Sequence, residues 1–450
     1  MQERILTLRL SIATLRFYLG VLLVTNLAVL LGTWAAHTLP EQRYSIRMVL
    51  HLLNLAKENT VATWYSSMLL LSVALMSVVC FLADWQRFSQ WRERVLSYGW
   101  LGFSLIFTVL SFDEIGSFHE TIGDTEVMNT FGSNTGWNAF YGVIALVGLF
   151  MLAFSILRLA RSGWAAAFAV VGLLLFLSNP LQENYEVSAY RAAPDPSLWV
   201  RPIWLLLLEE GSEIIASTCF LFATTRYAVY SLKEQNQPKQ QPHTSHSSLT
   251  LSFSGNSFFS YLLAAIAALA AGFAAVAFGL DETMERDQGI PANWFPSGVA
   301  FVAALVSFYL HYTVTPGYHL SLQLMLALFS FALSLVYGSN LYAYSVWETS
   351  IGHLPAIIIT YTAVAAAAGL CYGLVSATKD SWSRALVITW FILLAAALVF
   401  YKAYTQELAF VAFACLLLAL VRDLYHTPLR ARNEGATKPT YAEEQASPAT

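Results

Sequence analysis

The chain has 450 residues, 57% of them hydrophobic and only 12% charged, with a net charge of −4 at pH 7. A soluble domain carries about 25% charged residues, so this composition, with a mean hydropathy of +0.56, excludes a soluble globular protein. The mildly acidic balance, with a pI near 6.1, gives no basis for nucleic-acid binding.

The N-terminus carries Arg4, Arg9 and Arg16 ahead of an apolar run over 17–36. That run is too long for a signal-peptide core and long enough to cross a bilayer, so it reads as an uncleaved first helix. After it, RYSIRMVLHLLNLAKE (43–58) places Arg47, His51, Asn54 and Glu58 at helical spacing with apolar residues opposite. This predicts a helix lying flat on the outer membrane surface or packed on the bundle. Spans of roughly 20 mostly apolar residues fall at about 15–37, 60–83, 97–121, 136–160, 163–186 and 199–227, and then at 257–280, 297–314, 318–338, 353–377, 384–402 and 405–422.

The expected fold is therefore an all-α polytopic membrane protein with about 12 transmembrane helices. Its organisation reads as a six-helix membrane half over 1–230 and a disordered, polar, Gln- and Ser-rich cytoplasmic linker over 231–256. A more apolar six-helix half over 257–425 and a disordered cytoplasmic tail over 426–450 follow. With the N-terminus inside, 17 of the 24 Lys and Arg residues fall on the cytoplasmic side. This bias assigns both termini to the cytoplasm, and the expected location is a bacterial cytoplasmic (inner) membrane. The 14% aromatic content, including 13 Trp, suits interfacial belts in a lipid bilayer. Cys80, Cys219, Cys371 and Cys415 all lie in apolar runs without metal-ligand spacing, and read as small core residues.

Chemistry-bearing residues concentrate in the first half. The third span ends in SFDEIGSFHE (111–120), the fifth in SNPLQENYE (178–186), and the sixth reads WLLLLEEGSEIIASTCFLF (204–222). The topology puts the acids of all three toward the outer half of the membrane. Glu209, Glu210 and Glu213 begin about 15 Å in from Trp199, at 1.5 Å per residue. Asn179, Glu183 and Glu186 form a second stripe, and Asp113, Ser117, Glu120 and Asp124 a third, with Glu114 and His119 splayed to either side. An ionised carboxylate in hydrocarbon costs several kcal/mol unless compensated. Arg191, Arg201 and Arg286 are too few to neutralise all the acids. Asp113, Glu114, His119, Glu120, Glu183, Glu209, Glu210 and Glu213 are accordingly the expected ligands of a divalent metal ion (Fe, Mn, Zn or Ca). Glu186 and Asp124 read equally well as solvated helix-end acids.

Three functions fit these residues. One is a metal-dependent enzyme acting on a lipid, lipid-linked or small-molecule substrate. The second is a cation- or proton-coupled secondary transporter, in which Asn179-Pro180 would be a helix break. The third is a non-catalytic scaffold or sensor with protonated acids. No Gly-rich phosphate loop, GxSxG elbow or HExxH pair occurs.

Overall fold

The computed structural model describes residues 4–10, 12–39, 44–57, 60–116, 135–195, 199–236, 247–253, 265–266, 268–272, 291–313, 318–339, 353–378, 380–399 and 405–426. The first half opens with strand β1 (Arg4–Leu10), α1 (Ile12–Thr38) and α2 (Tyr44–Leu52). It continues through α3 (Val61–Arg87), α4 (Trp91–Ser97), α5 (Gly99–Gly116), α6 (Thr135–Arg158), α7 (Gly163–Ala192) and α8 (Ile203–Asn236). After strand β2 (Ser247–Phe253), the second half contains α9 (Pro291–Thr313), α10 (Tyr318–Gly338), α11 (His353–Ala377), α12 (Ser381–Val399) and α13 (Thr405–His426).

Among the described residues, seven helical segments are long and apolar enough to cross a membrane: Arg16–Thr38, Val61–Arg87, Trp91–Gly116, Gly142–Arg161, Gly163–Gln182, Ala292–His311 and Ser381–Leu398. Their outward faces carry large exposed apolar side chains, such as Phe17, Val24, Leu146, Leu149 and Leu174. Water would not tolerate such a surface, and lipid does. Exposed Trp85, Trp91 and Trp164 stand near helix ends on one side of the bundle, and Trp34 and Trp204 near helix ends on the other. That is the arrangement of two interfacial belts. These features make the chain a helical membrane protein. The stretches expected to span at 199–227, 318–338, 353–377 and 405–422 form α8, α10, α11 and α13, while most of 257–280 lies outside the described residues.

Two local expectations change. The outer-surface helix stops at Leu52, so Asn54 does not continue its stripe, and Glu58 lies outside the described residues. The cause is a competing set of hydrogen bonds. Thr33 Oγ1 of α1 donates to the Leu53 carbonyl and accepts from the Leu55 amide, at 3.0 and 3.1 Å, which draws the chain back against the bundle. Thr60 then caps α3 by accepting from the Thr63 amide at 3.2 Å. Secondly, residues 247–253, within the stretch expected to be linker, pair antiparallel with residues 4–10. Both segments alternate, and the register sets Leu6 against Leu251 and Leu8 against Leu249. The ribbon touches α3 and α8 and joins the start of the chain to the segment between the two halves.

The halves meet along a polar seam. Ser67 of α3 donates to the Ser111 carbonyl of α5 at 2.6 Å, and Trp294 Nε1 of α9 donates to Ser111 Oγ at 2.9 Å. Trp64 Nε1 of α3 donates to Ser334 Oγ of α10 at 3.1 Å, and Ser334 in turn donates to the Ser297 carbonyl of α9 at 2.8 Å. Small residues permit this closeness: a Cβ on Gly338 would stand 2.3 Å from the Trp64 ring and 2.6 Å from Ser297 Oγ.

Candidate functional site

Three phenylalanines fix how α5, α7 and α8 face one another. The rings of Phe107 (α5), Phe176 (α7) and Phe220 (α8) are mutual neighbours, with centroids 5.0, 5.8 and 6.3 Å apart. Gly172 lets α7 approach, because a Cβ there would meet the Ala216 carbonyl and the Phe220 ring at 3.0 Å. Seven residues along a helix return to nearly the same face, about 10 Å further on. Seven residues after Phe107 comes Glu114, seven after Phe176 comes Glu183, and seven before Phe220, on antiparallel α8, comes Glu213. The sequence thus sets three glutamates at one level above an aromatic triangle, one per helix. Glu209 lies one turn beyond Glu213 on the same face.

Hydrogen bonds confirm the α7–α8 contact at this level. Asn179 Nδ2 donates to Glu213 Oε1 at 2.6 Å, and Ser212 Oγ donates to Asn179 Oδ1 at 2.5 Å. Ser212 lies beside the Glu209 carbonyl, at 2.8 Å. Arg201, in the segment leading into α8, pairs with Glu209 and stands 2.8 Å from Glu186 of α7. Gln182 shares the α7 stripe of Asn179 and Glu186. Its Nε2 donates to Ser178 Oγ at 2.8 Å, while its Oε1 is buried without a hydrogen-bond partner. α7 runs unbroken through Pro180, so the helix break expected at Asn179-Pro180 is not seen. Having no N–H, Pro180 cannot bond the Phe176 carbonyl one turn back.

The predicted residues divide accordingly. By helical register alone, Glu114 on α5 and Glu209 and Glu213 on α8 fall on the faces that carry the aromatic triangle. Glu183 falls at the right position of α7, but its side chain lies outside the described residues. Glu210 is turned toward α1: it precedes by one turn Ile214, which packs with Val29, Leu55 and Ala62. Asp113 is rotated by about 100° from Glu114. His119 and Glu120 lie outside the described residues, as do Ser117, Asp124 and Arg286. α8 begins at Ile203, so Glu209 is only about 9 Å from the helix start, nearer its end than counting from Trp199 implied. Among the described residues no three His, Cys, Asp or Glu side chains are grouped closely enough to hold a metal ion. Charge compensation is also better than counting arginines implied, since Arg201 alone answers two carboxylates and the Asn179 amide a third.

A second polar centre, at the opposite end of the same helices, was not foreseen. Asp84, near the end of α3, and Arg158, ending α6, are both completely buried, and Arg158 Nε donates to Asp84 Oδ2 at 2.7 Å. Asp84 also accepts from Trp100 Nε1 at 2.8 Å, from the Tyr227 hydroxyl at 3.0 Å and from Ser231 Oγ at 3.1 Å. Arg158 Nη1 donates to Glu93 Oε2 at 2.5 Å and Nη2 to Ser97 Oγ at 2.9 Å. Arg161 closes the far side of Glu93 at 2.8 Å. The Phe88 ring lies under the guanidinium of Arg158, 4.3 Å from its centroid. One signal was present in the sequence: Arg158 sits inside the apolar run 136–160, and an intramembrane arginine requires a buried partner.

Residues 16–228, just under half of the chain, match a family described as "Domain of unknown function (DUF8692)". That match spans both polar centres apart from Ser231. Comparison with curated proteins and with solved structures returns no match.

Proposed function

We propose that this membrane protein binds a small cation in the seam between α5, α7 and α8, with Glu114, Glu209 and Glu213 as its charged partners. The observation that carries the reading is the seven-residue register from the Phe107–Phe176–Phe220 triangle to one glutamate on each helix. Oxygen ligands predominate: carboxylates, the buried Gln182 Oε1 and the Phe176 carbonyl, to which Pro180 offers no N–H. Such a set suits a hard cation, a divalent metal ion first. Anions would meet carboxylates and a buried acceptor, and are disfavoured.

Two uses of a bound cation follow. A divalent ion would polarise a bound water beside the lipid phase, which would serve metal-dependent chemistry on a lipid-linked substrate. Passage of the cation through the bundle is the second use: α7 runs unbroken through Pro180, but the missing N–H leaves its hydrogen-bond ladder one donor short beside the site. Titration calorimetry of detergent-purified protein against Mn²⁺, Zn²⁺, Ca²⁺ and Na⁺ tests the cation site itself. Saturable binding of at least one of them, lost in Glu213→Gln, is expected. Absence of binding to all four would remove the proposal and leave the acids as hydrogen-bonded structural groups.

A further inference from the structure

We infer that the Asp84–Arg158 network is a gate, closed in this structure, at the end of the bundle that the charge bias assigns to the cytoplasm. The inference rests on reading the opposite end as a binding site that is reached from one side at a time. Four elements meet in the network: α3 through Asp84, the α4–α5 corner through Glu93, Ser97 and Trp100, α6 through Arg158, and α8 through Tyr227 and Ser231. α5 and α8 are the helices whose other ends carry Glu114, Glu209 and Glu213. One continuous seam therefore runs from the acids, past the phenylalanine triangle, to the lock.

The chemistry of the lock suits a joint that parts. A buried ion pair adds little net stability compared with apolar packing, because desolvation offsets its attraction. Conversely, its separated halves are readily hydrated, whereas separated apolar faces are not. The rim already touches water: Glu93 and Arg161 are 27% and 35% exposed, against 0% for Asp84 and Arg158. Water entering past Glu93 would reach Arg158 next and Asp84 after it.

The chain carries a reporter behind the lock. Cys80 lies one turn before Asp84 on the same face of α3, fully buried, with Sγ 3.2 Å from the Thr224 carbonyl of α8. Parting of α3 from α8 at this end uncovers it. Cys371, buried in α11 of the second half, is an internal control.

The test is labelling of the full-length protein in vesicles by a membrane-impermeant maleimide applied to either side, with the labelled cysteine located by peptide mass spectrometry. Wild type, Glu93→Gln and Asp84→Asn are compared. The gate predicts slow Cys80 labelling in wild type and an increase of about tenfold or more in the variants, from the Asp84 side only, with Cys371 unchanged. Should Asp84→Asn fail to fold, Glu93→Gln decides alone, since it leaves the buried pair intact. Unchanged Cys80 labelling in folded Glu93→Gln overturns the gate, and so does a parallel rise at Cys371, which would mean general loosening. Cation titration of the same samples separates the two readings. Opening without any cation binding retains the gate and removes the cation site; binding without opening does the reverse.

Discussion

At one end of α3, α5, α6 and α8, Asp84 and Arg158 are wholly buried, and each is held by several partners within 3.1 Å. At the other end, Glu209 and Glu186 are half-buried around a single arginine, Glu213 leans on an amide, and Gln182 retains an unbonded buried oxygen. The first arrangement is complete: no donor or acceptor in it asks for anything more. In the second, one buried acceptor, Gln182 Oε1, has no hydrogen-bond partner. The same bundle thus places a fully paired buried network at one end and a partly buried, carboxylate-rich one at the other.

Substitutions can break or sharpen that contrast. The largest effect is expected at Asp84. Asp84→Asn leaves Arg158 buried without its main counter-charge, and should lower stability by about 3–5 kcal/mol, read as a fall in midpoint in a detergent-based unfolding assay. Gly338→Ala drives a methyl group into Trp64 and Ser297 where the halves meet. It should cost about 1–3 kcal/mol by overpacking, with no change in cation titration. Trp294→Phe deletes the donor to Ser111 and keeps an aromatic ring, though a smaller one, against Phe112 and Phe295. A lost bond between membrane helices is worth about 0.6 kcal/mol on average, so a small drop in unfolding midpoint is expected.

The smallest effect concerns a surface pair in the second half. Asp380, ahead of α12, accepts from Arg422 Nε at 2.6 Å and from the Ser383 amide at 2.8 Å. The Arg422 guanidinium foremost, with the Ser383 bonds, holds the Asp380 carboxyl well below the usual carboxylate range. A depressed folded-state pKa means stability that is present above the ordinary carboxylate pKa and is lost as pH falls below it toward the folded value. Exposure limits the pair to about 0–1 kcal/mol. Arg422→Gln should therefore lower stability slightly at neutral pH, with the gap to wild type holding down to about pH 4 and narrowing below it, as followed by thermal unfolding from neutral pH down into strong acid.

Much of this was legible in the sequence, for definite reasons. The apolar runs around Val61–Arg87 and Gly163–Gln182 have the length a bilayer imposes, so their helices could be read directly. The acids of DEIGS, NPLQENYE and LLEEGSE stood out because charge in an apolar run is rare. Which of them share a seam could not be read, because helix rotation is set by packing. Only the Phe107–Phe176–Phe220 contacts show that Glu213 faces α7 while Glu210 turns toward α1. The Asp84–Arg158 pair joins residues 74 positions apart, and nothing local links them. The β1–β2 ribbon was hidden for another reason: seven alternating residues leave no trace in a search for spans of about 20.

The cation site is tested most directly by elemental mass spectrometry of detergent-purified protein after equilibration with Mn²⁺, Zn²⁺ or Ca²⁺, comparing wild type with Glu114→Gln, Glu213→Gln and Glu210→Gln. The account predicts stoichiometric retention of an ion by wild type and by Glu210→Gln, and its loss from Glu114→Gln and Glu213→Gln, because of the three substituted glutamates only Glu210 lies off the proposed seam. Retention in all four proteins, or loss confined to Glu210→Gln, would contradict it.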